Sequence, residues 1–424
     1  MMLLSEAVPL RASTTLNGYQ TQAYLPWVYG DLRQQQIPTV RISASKYLVA
    51  DHAMTVTAVY VDSKKIANFN AVVGNDGTGN TVTYVEIEDS IGSKAVTVSG
   101  MGKLNPRNGQ LLDNPADVVT DIMAKCGYDA NLVRQQTQAL RVEFGRLNVG
   151  VAGVIFDGKQ TIRQTLIEIC QSVGVIWLPD IFEQYPAPAK PSLHRLDSYN
   201  CSGITCEAQA SDYATVVECE YFKQWSAGIF GGVMSFALAG KRPREIVQKV
   251  SLPWLNNQSY CRYLCSLYAR RAAQDKVRVK LIANNLDIKA GDWVSIDSRQ
   301  MPFDGVHNMF VLATEPSGAS LSIVGEILLG NTPAIVQTGE TLSALVGVSD
   351  LSIGVRFDGG QTVFIITDSD KKPVFNALIT IDDDSTVKRT NIAGEVIYSS
   401  LARGVHVLTI QPANALASTY SISY

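Results

Sequence analysis

Short β-branched runs closed by turn residues recur along almost the whole chain, and they limit its fold more tightly than any other feature. Met54-Thr55-Val56-Thr57-Ala58-Val59-Tyr60-Val61 is β-branched, partly alternating, and ends on Asp62-Ser63, a pair suited to a turn. Thr81-Val82-Thr83-Tyr84-Val85-Glu86-Ile87 and Ala95-Val96-Thr97-Val98 follow the same pattern. The glycine-bearing residues 74–79 between them precede no helix, so they predict a loop between strands rather than a phosphate cradle. Farther on, Val217, Cys219 and Tyr221 alternate with Glu218 and Glu220, the period of a half-buried strand. Strand-forming runs continue from Val277 through residues 293–296 to 321–324, and again near 363–367, 377–381, 386–390, 395–398 and 405–410.

Three stretches break this pattern with a helical period. Asn114-Pro115-Ala116-Asp117 opens the first: Asn114 suits the cap, Pro115 the first helical position and Asp117 the positive end of the helix dipole. Val118, Val119, Ile122 and Met123 give it an apolar side, and Gly127 ends it. The second runs from about Gln160 to Val173, with Ile162, Leu166, Ile169, Cys170 and Val173 on one face and Thr161 with Gln164 as a capping box. Gly174 stops it, and Val175-Ile176-Trp177-Leu178 reads as a buried strand. The third, about Asn257 to Gln274, carries Tyr260, Leu264, Leu267 and Tyr268 on one side.

The expected class is therefore α+β and mainly β. Tyr185-Pro186-Ala187-Pro188-Ala189-Lys190-Pro191 cannot lie inside a helix or central strand and predicts an extended connection. Residues 331 to about 350 are small and polar, as in a linker.

Chemistry-bearing patterns are scarce. The chain shows no Gly-x-Ser-x-Gly elbow, Walker loop, His-Glu-x-x-His or EF-hand pattern. His52, His194, His307 and His406 fall in four separate segments, where hydrogen-bonded or exposed histidines are the ordinary outcome. Cys261 and Cys265 stand four apart on the third helix; a zinc site would need two more ligands, so core packing accounts for them better. Asp382-Asp383-Asp384 lies between strands, a charged hairpin tip before it is a calcium site. No catalytic residue, cofactor-binding residue or metal ligand is assigned.

A net charge of -3, with only Lys241-Arg242 and Arg270-Arg271 as basic doublets, argues against sustained nucleic-acid binding. The apolar N-terminal run is too short for a signal peptide, and no stretch reaches the length of a transmembrane helix. Seven cysteines without framework spacing suit small apolar core residues in a reducing compartment.

Several phrases, in order, give the chain a family likeness. Leu25-Pro26-Trp27-Val28-Tyr29-Gly30-Asp31, Asn114-Pro115-Ala116-Asp117-Val118-Val119, Thr161 through Trp177, and Ala290-Gly291-Asp292-Trp293-Val294-Ser295-Ile296 resemble segments of tail hub proteins of long-tailed phages. At the C-terminus, Lys372-Pro373-Val374 before Ala377, Ile379 and Ile381, then Thr390-Asn391 before Gly394-Glu395, resemble a carboxypeptidase-regulatory (transthyretin-like) β-sandwich. Leu401-x-x-Gly404-Val405-His406 matches its Leu-x-x-Gly-x-Tyr step with Val405-His406 where tyrosine is usual.

The resemblance implies two small hub β-barrels with an inserted α/β part, followed by a β-sandwich. The expected divisions are a β-barrel at 1–105, an α/β insertion at 106–190, a second hub domain at 191–332, a linker at 333–350 and a sandwich at 351–424. It further implies a non-enzymatic homotrimer at the virion tail tip or baseplate, assembled in the host cytoplasm. Its ring would close the tail tube, join it to a central fibre or spike and open for DNA ejection. Its partners would be distal tail and tube proteins and the tape-measure protein, with DNA only in transit and no cofactor. A cell-surface carbohydrate-binding or adhesin protein is the alternative, and a tail-associated hydrolase lacks a local acid pair or metal motif.

Residues 225–240 stand apart: sixteen residues without a charge, four of them glycine. Glycine weakens helix and strand alike, so the segment predicts a flexible apolar loop. Either it tucks under its own domain, or Trp225, Ile229, Phe230, Met234 and Phe236 meet a neighbouring subunit, a plug protein or, transiently, the host membrane.

Overall fold

The structure is a computed structural model. It describes the chain from Leu3 to Ser423 apart from residues 12–23, 77–78, 88–90, 93, 106–107, 178–181, 185–191, 193, 198, 209–212, 241–243, 285–286, 299–304, 330–332, 343–351, 359–360, 368–370, 375–376, 383–387, 400–404 and 412–417. The class is α+β and mainly β, with five helices among the described residues.

The β-branched runs of the N-terminal part form two four-stranded sheets. One takes the order Asp31–Pro38, Val96–Met101, Thr55–Val61, Lys64–Ile66; the other Val40–Arg41, Lys46–Ala50, Thr81–Glu86, Asn70–Asn75. Only Thr39 separates Pro38 from Val40, so the chain passes directly from one sheet to the other. The turn expected at Asp62-Ser63 is present, with φ of 47° and 66°. Two positive-φ central residues match the right-handed twist of the paired strands.

The helices start where capping chemistry puts them. In α1 (Pro115–Lys125) the Asn114 side chain accepts from the Ala116 N–H. In α4 (Ile162–Ser172) both bonds of the Thr161/Gln164 capping box form. Two helices escaped the sequence reading, α2 (Ala130–Gln136) and α3 (Gln138–Leu147). One apolar core joins these helices to the N-terminal sheets: Trp27, Tyr29, Val59 and Val98 pack with Ile122, Phe144, Leu166 and Ile169. The strand Trp27–Tyr29 pairs with Gly153–Ile155, across the first three helices.

Two further sheets follow. The six-stranded one has the order His194–Leu196, Trp293–Ser298, Gly305–Ser317, Ser320–Leu328, Lys276–Ala283, Cys201–Ala208. Its first and last strands are consecutive in the chain, linked only by residues 197–200, so the sheet must curl to bring its edges together. Leu196, Val279, Val294, Ile296, Val311 and Ile323 fill the inside of the curl. The four-stranded sheet runs Val247–Leu252, Val216–Gln224, Ile229–Leu238, Ile335–Leu342, with α5 (Gln258–Ala272) across one face. Arg271 of α5 pairs with Glu326 of the six-stranded sheet, which ties the helix to both.

At the C-terminus a three-stranded sheet (Ser352–Asp358, Gln361–Thr367, Glu395–Ser399) and a four-stranded sheet (Lys388–Arg389, Leu378–Ile381, Val405–Gln411, Ser418–Ser423) share one core. Phe364, Ile366 and Val396 of the first meet Ile379, Ile381, Leu408 and Ile410 of the second. His406 occupies the inward position where the likeness expects tyrosine, and its ring nitrogen bonds the Asp382 carboxylate at the turn. Leu401 and Gly404 of that phrase, Asp383-Asp384, and the Pro/Ala stretch lie outside the described residues.

Three expectations need correction. The expected linker supplies the strand Ile335–Leu342, whose register against Ile229–Leu238 runs from Ile335 opposite Leu238 to Leu342 opposite Gly232. It is an edge strand whose Glu340 is held by Arg262 of α5, so a polar sequence serves where an apolar alternation was sought. The buried side of α5 is lined by Cys261, Leu264, Cys265, Ala269 and Ala272, a quarter turn from the side expected, because small residues let the helix approach the sheet. Cys206 is exposed, unlike the other six cysteines.

Among the described residues, the core of the C-terminal sandwich draws on none before Ile353. Produced alone, residues 351–424 should unfold in one cooperative transition. A chain lacking cooperative denaturant unfolding by circular dichroism would show that the sandwich depends on the rest of the protein.

Candidate assembly interface

The apolar segment at 225–240 is half of a β-hairpin. Val216–Gln224 pairs with Ile229–Leu238 from Val216 opposite Ala237 to Gln224 opposite Ile229. The expectation of a loop fails because the glycines are placed where strands tolerate them. Gly228 (φ 70°) closes the turn and Gly240 (φ 96°) ends the strand. Gly232 lies across from Tyr221, leaving the ring room. Phe222 is the irregular position: its φ of 60° turns its N–H out of the ladder to the Leu255 carbonyl at 2.9 Å.

The turn of this hairpin docks on the N-terminal sheet. Between Leu32 and Ile37 the strand Asp31–Pro38 leaves its partner in a wide bulge. The freed groups of that bulge take the hairpin instead. Gln35 Nε2 donates to the Lys223 carbonyl at 2.9 Å, the Gln36 N–H to Gln224 Oε1 at 3.1 Å, and the Ser226 N–H to the Gln36 carbonyl at 3.0 Å. Gln35, Gln36 and Gln224 are buried amides, and nothing in their sequence had marked them.

Trp225 carries the joint. It meets Trp254 edge-on at 5.6 Å between ring centroids, and Trp254 reaches Tyr29 at 6.3 Å. A Cβ on Gly153 would collide with the Trp254 indole, so glycine is required where these rings enter. Trp225 Nε1 and Gln35 Oε1 are buried without a hydrogen-bond partner in the protein. Each such group costs on the order of 1–3 kcal/mol, so ring contact rather than polar pairing favours the joint.

The phrase at 25–31 builds the other side. Tyr29 donates its hydroxyl hydrogen to Asp121 of α1 at 2.9 Å, and Lys103 reaches the same carboxylate at 2.7 Å. Lys125 lies 4.0 Å above the Trp27 ring and 3.5 Å from Asp121; burial pulls its ammonium down to about 8. His52 is buried, accepts from the Val28 N–H through Nε2 at 2.9 Å, and donates from Nδ1 to the Ala53 carbonyl at 3.0 Å. Burial holds it neutral, with its pKa lowered to about 3. At Gly30 (φ 73°) an added Cβ would strike the Val151 carbonyl.

The five residues singled out from sequence thus divide. Met234 is fully buried, Trp225 and Phe236 nearly so, all within their own chain. Ile229 is 45% exposed and Phe230 half-buried, consecutive past the turn and so on opposite faces of the strand. Only this pair offers apolar surface outward. Among the described residues, no group of His, Cys, Asp or Glu is placed to hold a metal ion, and no helix is long and apolar enough to cross a membrane.

No family model and no curated protein matches the chain. Among solved structures, it is similar to a chain of the virion of a native gene transfer agent particle: TM-score 0.47, 11% identity, 78% of this chain and 89% of that one. A tail protein from Neisseria meningitidis MC58 gives a TM-score of 0.31 at 9% identity, covering 75% of this chain and 96% of that one. A 43 kDa tail protein of prophage MuSo2 from Shewanella oneidensis gives 0.32 at 10% identity, covering 77% and 98%.

Trp225→Ala should destabilise the chain by about 3–5 kcal/mol, because a large ring leaves a packed core. Guanidinium unfolding of the full chain checks this, and a loss near zero would mean that the hairpin turn does not dock. His52 predicts an acid limb. Its folded pKa lies below its unfolded value, so its contribution is intact above about pH 6.5 and is lost as pH falls toward 3, by about 1.4 kcal/mol per unit. In His52→Gln the stability between pH 6 and 4 should fall less steeply than in the unaltered chain.

Proposed function

We propose that this chain is a structural subunit of a phage tail tip or baseplate: a hub that closes the tail tube, joins it to a central fibre or spike, and opens for DNA ejection. One observation carries the reading. Three of the four phrases that resemble hub proteins converge on one another instead of on a cleft. Tyr29 of the first bonds Asp121 of the helix that the second begins. Leu166 and Ile169 of the third share their core. Residues of this kind specify an architecture, and architecture is what a ring subunit contributes.

In this reading the two N-terminal sheets are one small barrel and the curled six-stranded sheet is the second. Three copies would then present six barrels, matching a threefold tip to a sixfold tube. Ile229 and Phe230 form the contact with a neighbouring subunit or plug protein, and Trp225, Met234 and Phe236 hold that edge from beneath. Tube proteins, the tape-measure protein and the central fibre or spike are the partners, and DNA passes only in transit. The C-terminal sandwich, which resembles a transthyretin-like module, faces outward.

Light scattering of the purified chain should give about three times 46.0 kDa. The double variant Ile229→Asp/Phe230→Asp should keep the unfolding midpoint of the single chain yet lose that mass. Phe236→Asp, by contrast, should unfold the hairpin, since Phe236 is only 9% exposed. A trimer unaffected by the double change would move the interface elsewhere, and a monomer at all concentrations would count against the ring.

A further inference from the structure

We infer that Cys219 and Cys265 are a latent disulfide, closed by oxidation, that fastens α5 to the four-stranded sheet. This goes beyond the tail reading and does not depend on it. Both residues have no exposed surface. The Cys265 thiol donates to the Met234 carbonyl at 3.2 Å and stands 3.6 Å from the Val217 carbonyl. Met234 is directly opposite Cys219 in the ladder, and Val217 precedes Cys219 by two residues on the same face. The helix sulfur therefore sits over the strand pair that presents Cys219.

The third thiol of this core, Cys261, is placed differently. It lies one turn before Cys265 on α5, and residues four apart on a helix hold their Cβ atoms about 5–6 Å apart, against about 3.5–4.5 Å in a disulfide. On α5 it is Cys265 whose sulfur reaches the carbonyls of Val217 and Met234, the residues that flank and face Cys219. Burial pushes the Cys261 thiol up as well, so the reduced core is unreactive while it is closed. Cys126 and Cys170 belong to the N-terminal core and Cys201 to the curled sheet, and Cys206 is on the surface.

The reaction is thiol–disulfide exchange with a small disulfide such as oxidised glutathione. When α5 lifts, one thiolate attacks a glutathione sulfur and expels the first glutathione thiolate. The second cysteine then attacks the mixed disulfide and expels the other. Two S–H bonds are lost, one S–S bond forms, and one oxidised glutathione becomes two reduced ones. The closed bond ties residue 219 to residue 265 and so fixes α5 against the strand it covers.

The test uses the full chain, unfolded and refolded in oxidised glutathione, so that access to the thiols cannot limit the result. Peptide mapping by mass spectrometry should find Cys219 joined to Cys265 as the main link, retained in Cys261→Ala. The denaturation midpoint should rise by several degrees over the reduced chain, and a reductant should abolish the rise. Seven free thiols after refolding, or Cys219 joined chiefly to Cys261, would overturn the inference. Because the map is made on the unaltered chain, it does not rely on any cysteine variant folding.

Discussion

The meeting of Trp225 with Trp254 is the contact on which the arrangement of the chain depends. Trp225 comes from the tip of a hairpin and Trp254 from the segment before α5, yet both belong to the core of the N-terminal sheets and helices. Remove either ring, and the Gln35 side-chain amide and the Gln36 N–H and carbonyl of the bulge lose the partners they find on that hairpin. The polar bonds there are position-setting: they choose where the hairpin lands. The rings supply the free energy, since burial of large aromatic surface outweighs a few net hydrogen bonds.

The same division governs the charged groups around Tyr29. Asp121 is half the explanation of why the phrase at 25–31 adopts its path, because it accepts from Tyr29 and balances Lys103 and Lys125 at once. His52 does the opposite work. It stays neutral and spends both ring nitrogens on the backbone, pinning the strand Trp27–Tyr29 without bringing a charge into the core.

Much of this was legible in the sequence wherever the physics is local. Asn114, the Thr161/Gln164 box and Asn257 mark helix starts because a side chain within three residues satisfies the first free N–H groups. Asp129 signals α2 by the same chemistry, accepting from Asn131 and Leu132, but the short helix carries one buried residue, Val133, and so lacks an apolar period. The misread segments are those whose strand character is supplied by a neighbour. Ile229–Leu238 is poor in strand propensity, yet it is flanked on both sides by strands that complete its ladder. The docking residues Gln35, Gln36 and Gln224 were invisible for a similar reason: a buried glutamine differs from a surface one only by partners 188 positions away.

The pairing of Trp27–Tyr29 with Gly153–Ile155, roofed by Trp254, also sets a timetable. A ribosome makes the first sheets early, but the last ring of their core is added only when residue 254 has left the exit tunnel. At roughly 5–20 residues per second, the interval from residue 101 to residue 254 lasts on the order of 10–30 seconds. Throughout it the nascent chain presents an unfinished apolar face and an unfilled bulge edge, the two features most prone to mispairing. Slow passage through that stretch would favour capture by a chaperone over correct closure, which makes the yield of this fold a kinetic matter as much as an equilibrium one.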